Sequence, residues 1–255
     1  MVEINPLEFY IRSDFDDFVL INGLADINLE EQVRRYRTEM NNTSSFFRNP
    51  QLEMAVKHSI DFSFLPLQIA VVGCSRGQEA YTLLIRNWKN RNKFTINAVD
   101  ISKKNLIAVR NGVYLLPFTS NQYRLINDID GQSEICDFEY LSNLARNLVT
   151  QIKVTFSDSA RNSIRTEQHD ILSSPLPSKY DLITMCNVLI YYNPNGKRII
   201  INNCARSLNP GGLLFLDDGY LNRFVDDSNL FKDNFDIIKL KMLDDHSEVL
   251  VYKKK

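Results

Sequence analysis

Residues 68–100 carry the pattern that most restricts this chain. Gln68–Val72 is a short, branched, apolar run of the kind buried in a parallel sheet. It leads through Gly73-Cys74-Ser75-Arg76-Gly77 into a helix with Ala80, Leu83 and Leu84 on one face. Phe94–Val99 reads as a second strand and ends on Asp100. Strand, glycine turn, helix, strand and terminal acid, in that order, predict an open, doubly wound α/β sheet. In such sheets ligands sit at the carboxyl ends of the strands, beside the switch in strand order.

The turn itself narrows the ligand. Gly73 and Gly77 let the backbone turn sharply and come close to a bound molecule. The spacing is not G-x-G-x-x-G, and no Gly-Lys-Ser/Thr follows, so neither a dinucleotide loop nor a P-loop is indicated. Asp100 stands where an acid can accept hydrogen bonds from both ribose hydroxyls of a nucleoside. Its structural alternative is an acid at the start of the next helix, worth under ~1 kcal/mol. A nucleoside site without a pyrophosphate cradle suits S-adenosylmethionine, which carries no phosphate.

The remaining pattern extends the same architecture. Leu29–Met40 predicts a helix, with Glu30 and Glu31 four residues ahead of Arg34 and Arg35. Ser102 caps a helix that stops at Asn111-Gly112, and Asn193-Pro194 opens another with Ile200, Cys204 and Leu208 on one stripe. Strands are expected at Ile152–Phe156, Ser163–His169, Tyr180–Met185 and Leu213–Leu216. Phe235–Lys241 and Glu248–Tyr252 are expected as an antiparallel pair. Residues 115–150 read as helical with an irregular insertion. The expected division is an N-terminal helical segment over 1–60 and a ligand-binding domain over 61–255, with a small insertion subdomain at 115–165.

Composition closes off other classes. Hydrophobic residues make up 44% and charged residues 24%, which excludes a disordered chain. A net charge of −1 gives no basic footprint for nucleic acid. The four cysteines form no C-x-x-C pair and the three histidines no metal set, so neither a disulfide framework nor a metal is expected. The first residues carry acids and no apolar core of a secretory signal. The stretch around Asp181–Tyr192 is too short and too polar to span a bilayer. A cytoplasmic monomer, with no direct membrane insertion, is the expectation.

Six ordered segments resemble the CheR-type chemoreceptor glutamate methyltransferases. Asn42-Thr43-Ser44-Ser45-Phe46-Phe47-Arg48 resembles that family's N-x-T-x-F-F-R, with Ser44 in place of threonine. Gly73-Cys74-Ser75-Arg76-Gly77-Gln78-Glu79-Ala80-Tyr81-Thr82 is similar to its G-C-S-x-G-x-E-x-Y-S/T loop. Asn97–Ser102, which contains Asp100, and Asn111-Gly112-Val113-Tyr114 match the strand with the ribose acid and the G-x-Y that follows. Cys186-Asn187-Val188-Leu189-Ile190-Tyr191-Tyr192 resembles R-N-V-L-I-Y-F, and Leu208–Gly212 the turn after the next helix.

The resemblance implies a class I methyltransferase fold with a short N-terminal helical segment and a small β-subdomain as the insertion, S-adenosylmethionine as cofactor with S-adenosylhomocysteine as product, and a helical, glutamate-bearing chemoreceptor as substrate. It implies that Asn42, Ser44 and Arg48 contact the cofactor, Glu79 its amino-acid part and Asp100 its ribose. Asp170 and Ile171 would lie along the adenine, with Gly73, Gly77 and Asn187 also lining the site. Arg48 and Tyr191 are the expected catalytic pair, one orienting the acceptor carboxylate and the other forming a wall beside the methyl. Cys186 departs from the family's arginine, and Asp217-Asp218-Gly219-Tyr220 departs from its glycine-rich strand exit. Both departures fall on the acceptor side. Two alternatives therefore stand: the same fold acting on another acceptor, or a cofactor-binding module without turnover. Phe46, Phe47 and Tyr192 are read as core, Cys186 as a small buried residue, and Arg34, Arg35 and Arg37 as a solvated face at least as readily as a docking surface.

Overall fold

The computed structural model describes residues 10, 19–39, 45–53, 55–56, 66–129, 131–143, 148–216, 231–241 and 248–255. In chain order its strands are β1 (Leu67–Val72), β2 (Phe94–Asp100), β3 (Val113–Pro117), β4 (Cys136–Asn143), β5 (Leu148–Phe156), β6 (Ile164–Gln168), β7 (Tyr180–Met185), β8 (Leu208–Leu216), β9 (Phe235–Lys241) and β10 (Glu248–Lys254). The helices are α1 (Leu29–Glu39), α2 (Gln78–Arg86), α3 (Lys103–Asn111), α4 (Asn121–Asn127), α5 (Gln132–Ile135), α6 (Asp158–Asn162) and α7 (Pro194–Ser207). Residues 50–53 and 55–56 are also helical.

The main sheet has seven strands in the order β6-β2-β1-β7-β8-β10-β9. From β6 to β8 the neighbours run parallel, while β10 is antiparallel to both β8 and β9. The chain builds outward from β1 through β2 to β6, then returns to the other side of β1 as β7. The strand order therefore reverses between β1 and β7, which opens a crevice at their carboxyl ends. Both faces are covered, as parallel strands require. Ile69, Val71, Ile96 and Ala98 point into one core with Ala80, Leu83 and Leu84 of α2. Ala70, Val72 and Val99 point into the other with Ile200, Ile201 and Cys204 of α7.

Local chemistry sets the helix ends. The Ser102 hydroxyl accepts from Asn105 N, and Gly112 closes α3 in the left-handed region. Asn193 Oδ1 accepts from Gly196 N, with Pro194 at the first helical position of α7. In α1 the expected Glu31–Arg35 pair forms, and Arg34 joins it on the same carboxylate. Glu31 takes Arg34 at 2.6 Å and Arg35 at 3.1 Å, because both guanidiniums lie one turn ahead of the same carboxylate.

Residues 115–150 correct the helical reading. Apart from short α4 and α5, this region supplies a three-stranded antiparallel sheet, β3-β5-β4. Ile152–Phe156 is a strand as expected, but it starts at Leu148 and belongs to this second sheet. The period of two was hidden because apolar Leu115 and Tyr140 face solvent while Tyr114, Leu116, Ile152 and Val154 are buried. Likewise β8 begins at Leu208, directly after α7, so Asn209–Gly212 forms its first part. The register of β7 and β8 shifts there, between Tyr180 and Leu182. Asp181 secures this end of the sheet, accepting from Asn209 Nδ2 at 2.7 Å and Gln68 N at 2.8 Å.

Candidate functional site

The crevice between β1 and β7 gathers backbone that the rest of the fold avoids. The non-glycine residues with positive φ among those described are Phe47, Ser75 and Asn187. They lie on the segment before Arg48, in the glycine loop after β1, and at the exit from β7. Such conformations cost of order 1–3 kcal/mol each and persist where surrounding structure holds them, typically at functional sites. Gly73, at φ +66°, lies against the third of these segments: a Cβ there would meet Val188 Cγ2 at 2.3 Å. Gly77, at φ +90°, is also tightly seated: a Cβ there would meet Val109 Cγ2 at 2.7 Å.

Asp100 ties the loop to the next helix. Its Oδ2 accepts from Ser75 N at 2.8 Å, and its Oδ1 accepts from Ser102 N at 2.8 Å and Asn105 Nδ2 at 3.2 Å. A carboxylate offers about four lone-pair positions, so this arrangement leaves room for about one further donor, not for an unrestricted pair. Burial raises the Asp100 pKa, and the three donated hydrogen bonds oppose that shift. His169 N donates to Asp100 O at 3.2 Å, which brings the turn carrying Asp170 and Ile171 beside the end of β2. There the Asp170 carboxylate accepts from Leu172 N at 3.1 Å, and Ile171 is buried.

Glu79 occupies the first turn of α2, where a negative charge suits the helix dipole. Its Oε1 accepts from the buried Thr184 hydroxyl of β7 at 3.0 Å, and Arg48 Nη2 stands 3.9 Å from its Oε2. The Arg48 segment is pinned from both sides. Phe47 N donates to Thr82 Oγ1 at 3.1 Å, and Phe46 N donates to Gln122 Oε1 at 3.0 Å. Phe46 packs edge-on against Tyr114, so this phenylalanine is core, as read, while Arg48, two residues on, is exposed. Next to Arg48, Asn49 Nδ2 donates to the buried Cys186 Sγ at 3.5 Å. Asn187 and Val188 follow, and then Tyr191 on a 3-10 turn over Leu189–Tyr191, half-buried.

Two polar atoms in the glycine loop region are buried without a hydrogen-bond partner: Ser75 Oγ and Gln78 Oε1. Neither was singled out from the sequence, although both lie inside the loop motif. The Cys74 thiol is pushed well up by burial, with the Asp100 and Glu79 carboxylates adding to the shift. That environment disfavours the thiolate. Asn42, Ser44 and the Asp217–Tyr220 strand exit lie outside the described residues. Of the rest, Arg48 approaches Glu79, Asp100 holds the glycine loop at Ser75, Gly73 lies against Val188 beside Asn187, and Asp100 receives the turn that leads to Asp170 and Ile171. Among the described residues no group of three His, Cys, Asp or Glu side chains could hold a metal, and no helix is long and apolar enough to cross a membrane.

Residues 41–237 match the family described as CheR methyltransferase, SAM binding domain. The chain belongs to this CheR methyltransferase family. It is similar to the chemotaxis protein methyltransferase of Listeria monocytogenes, 29% identical over 182 residues, covering 69% of this chain and 63% of the relative. The corresponding protein of Vibrio parahaemolyticus is 28% identical over 159 residues, covering 59% and 53%. The CheR chain here thus spans less than two thirds of the length of either relative. The matched residues hold the glycine loop and β1 to β8, and the doubly wound fold expected from residues 68–100 is the one observed.

Proposed function

We propose that the chain is an S-adenosylmethionine-dependent O-methyltransferase that methylates glutamate carboxylates of chemoreceptor-type proteins. The observation that carries this reading is the pair of unpartnered atoms, Ser75 Oγ and Gln78 Oε1, buried beside Asp100 and Glu79 in a loop held in left-handed conformation. An unpaired buried polar group costs roughly 1–3 kcal/mol, so two within one loop motif favour a polar ligand. A hydroxyl and an amide oxygen, with Glu79 adjacent, offer a donor and acceptors to a carboxylate and an ammonium. That chemistry fits the amino-acid end of S-adenosylmethionine, and Asp100 retains one acceptor position for a ribose hydroxyl. Asp170 and Ile171 would flank the adenine, and Gly73, Gly77, Asn187 and Arg48 would complete the lining with Asn42 and Ser44.

The bound cofactor supplies a methyl group on a sulfonium, open to in-line attack by an oxygen. A glutamate acceptor has a reference pKa near ~4.3 and is ionised at neutral pH, so the protein needs no general base. Its work is alignment and exclusion of water. Arg48, steadied by Glu79, is placed to bind one carboxylate through the fork of its guanidinium. Tyr191 forms the opposing wall. Residues 1–60 are proposed as a helical segment in front of the cofactor domain at 61–255, with the insertion at 115–165 centred on the β3-β5-β4 sheet.

One observation favours a second reading. Cys186 replaces the family's arginine with a neutral thiol that receives the amide of Asn49, so the acceptor side has lost a charge. An acceptor other than a receptor glutamate would follow. Calorimetry with S-adenosylhomocysteine and transfer of a radiolabelled methyl to receptor fragments test both readings. Arg48→Ala should abolish transfer while the chain stays folded, and unchanged activity would sink the role given to Arg48. Binding of the cofactor without transfer to any receptor fragment would favour the second acceptor.

A further inference from the structure

The far walls of the crevice rest on irregular backbone, and a distant part of the chain holds them. Ile171 and Leu172 lie in a turn, and Leu189–Tyr191 is a single 3-10 turn. Neither has strand partners to fix its position. Leu172 and Tyr192, each one residue beyond an expected site residue, both pack against one small cluster formed by Tyr10, Val33 and Tyr36. Tyr10 and Tyr36 are almost fully buried, their rings meeting edge-on with centroids 5.4 Å apart. On its other side Tyr10 lies 5.0 Å from the Tyr192 ring. Its backbone forms an antiparallel bridge with Tyr192, and its carbonyl accepts from Asn193 Nδ2 at 3.3 Å.

Helix α7 grips both walls. Its capping residue, Asn193, spends its oxygen on Gly196 N and its amide on Tyr10. Further along, buried Asn203 donates to Ile171 O at 2.8 Å. The helix thus holds the turn beside Asp170 directly, and holds the Tyr191 turn through its own cap and Tyr10.

We propose that Tyr10 and Tyr36 form an aromatic clamp that positions the Asp170–Leu172 wall and the Tyr191–Tyr192 wall relative to one another. The clamp rests on the cofactor and acceptor roles proposed above for those walls. Tyr10 is a positioning residue: it acts through Tyr192 and α7. Its loss lets the 3-10 turn move, which misplaces Tyr191 and loosens the adenine side together.

The test uses the full chain with Tyr10→Ala and Tyr10→Phe, at a temperature where circular dichroism shows all three proteins folded. S-adenosylhomocysteine affinity is measured by calorimetry, and kcat and KM by methyl transfer to receptor fragments. Misplacement on the ångström scale costs up to about a hundredfold in rate, so Tyr10→Ala should lower kcat about tenfold or more and weaken S-adenosylhomocysteine binding several-fold. Tyr10→Phe keeps the ring and the backbone bridge and should restore both values. If Tyr10→Ala does not fold, Asn193→Ser keeps a helix cap but cannot span to Tyr10 O, and should show the same paired loss at smaller amplitude. A lowered melting temperature with wild-type affinity and kcat would mean that Tyr10 only stabilises the fold, and would overturn the clamp. Absence of S-adenosylhomocysteine binding by the wild-type chain would instead overturn the cofactor reading, and the clamp with it.

Discussion

Gly73 joins the two loops that make the crevice, and replacing it with alanine separates two effects that can be measured apart. The residue sits at φ +66°, where a non-glycine backbone costs roughly 1–2 kcal/mol. The added Cβ would also lie 2.3 Å from Val188 Cγ2, and overpacking of this kind typically costs about 1–3 kcal/mol. Together the two place Gly73→Ala at about 2–5 kcal/mol of lost stability. Val188→Ala removes the overlap and leaves the strain. In that background Gly73→Ala should cost only the roughly 1–2 kcal/mol of the left-handed backbone. The cycle therefore predicts a coupling of about 1–3 kcal/mol, with the double variant more stable than the sum of the singles implies. Urea unfolding of the four chains gives the midpoints, and an unchanged m-value keeps the comparison valid. The same proteins should differ in affinity for S-adenosylhomocysteine, Gly73→Ala binding worst and the double variant recovering part of the loss. A cycle that closes to within about 0.5 kcal/mol would refute the reasoning, because the loop after β1 would then not be seated on the exit from β7.

Asn203→Ala leaves the Ile171 carbonyl without its buried donor and should cost about 1–3 kcal/mol in urea unfolding; a loss below about 0.5 kcal/mol would show that the bond carries no weight. The paired arginines hold Glu31 well down, so its carboxylate should titrate near about 2 by NMR. The stabilisation from those pairs is complete above the ordinary value of 4.5 and is lost as pH falls through about 2. Arg34→Gln should move the midpoint back up, and so should high salt, since this pair is exposed. Asp100 runs the other way. Burial raises its folded pKa, so between the ordinary value of 3.8 and that raised value the folded protein holds a proton that the unfolded chain gives up. Stability of the wild type relative to Asp100→Asn should fall as pH rises from 3.8 through the raised value and stay level above it. The opposite slope, from acid unfolding curves of the two proteins, would mean that the three donated hydrogen bonds outweigh desolvation.

What the amino-acid sequence reveals here is set by the range of the interaction concerned. The β1 loop, its glycines, Glu79, β2 and Asp100 lie within one contiguous stretch, and their order alone predicts a switch-point crevice. The caps at Ser102 and Asn193 are equally local, because each side chain bonds a backbone group three residues on. The β3-β5-β4 sheet is foreshadowed only by the small β-subdomain that the resemblance implies; the residue pattern hides it, because Leu115 on its outer face and Tyr140 on its inner face are both exposed apolar side chains that blur the alternation. Ser75 and Gln78 lie inside a motif already read, but only packing shows that their polar atoms are buried and unmatched.

The acceptor side is of a different kind. Its pairs are Asn49 with Cys186, 137 residues apart, and Asn193 with Tyr10, 183 residues apart. No periodicity or cap has that range. Such pairs can also change without disturbing the sheet, since neither Asn49 nor Tyr10 belongs to a strand of it. The cofactor side has no such freedom: Asp100 and Thr184 are strand residues, bonded to the loop at Ser75 and to Glu79. A substitution there would disrupt the packing of β1 against its neighbours as well as the ligand. On the proposed reading, the crevice can therefore keep the residues around its nucleoside while position 186, an arginine in the family motif that this segment resembles, carries a small thiol that the amide of Asn49 meets.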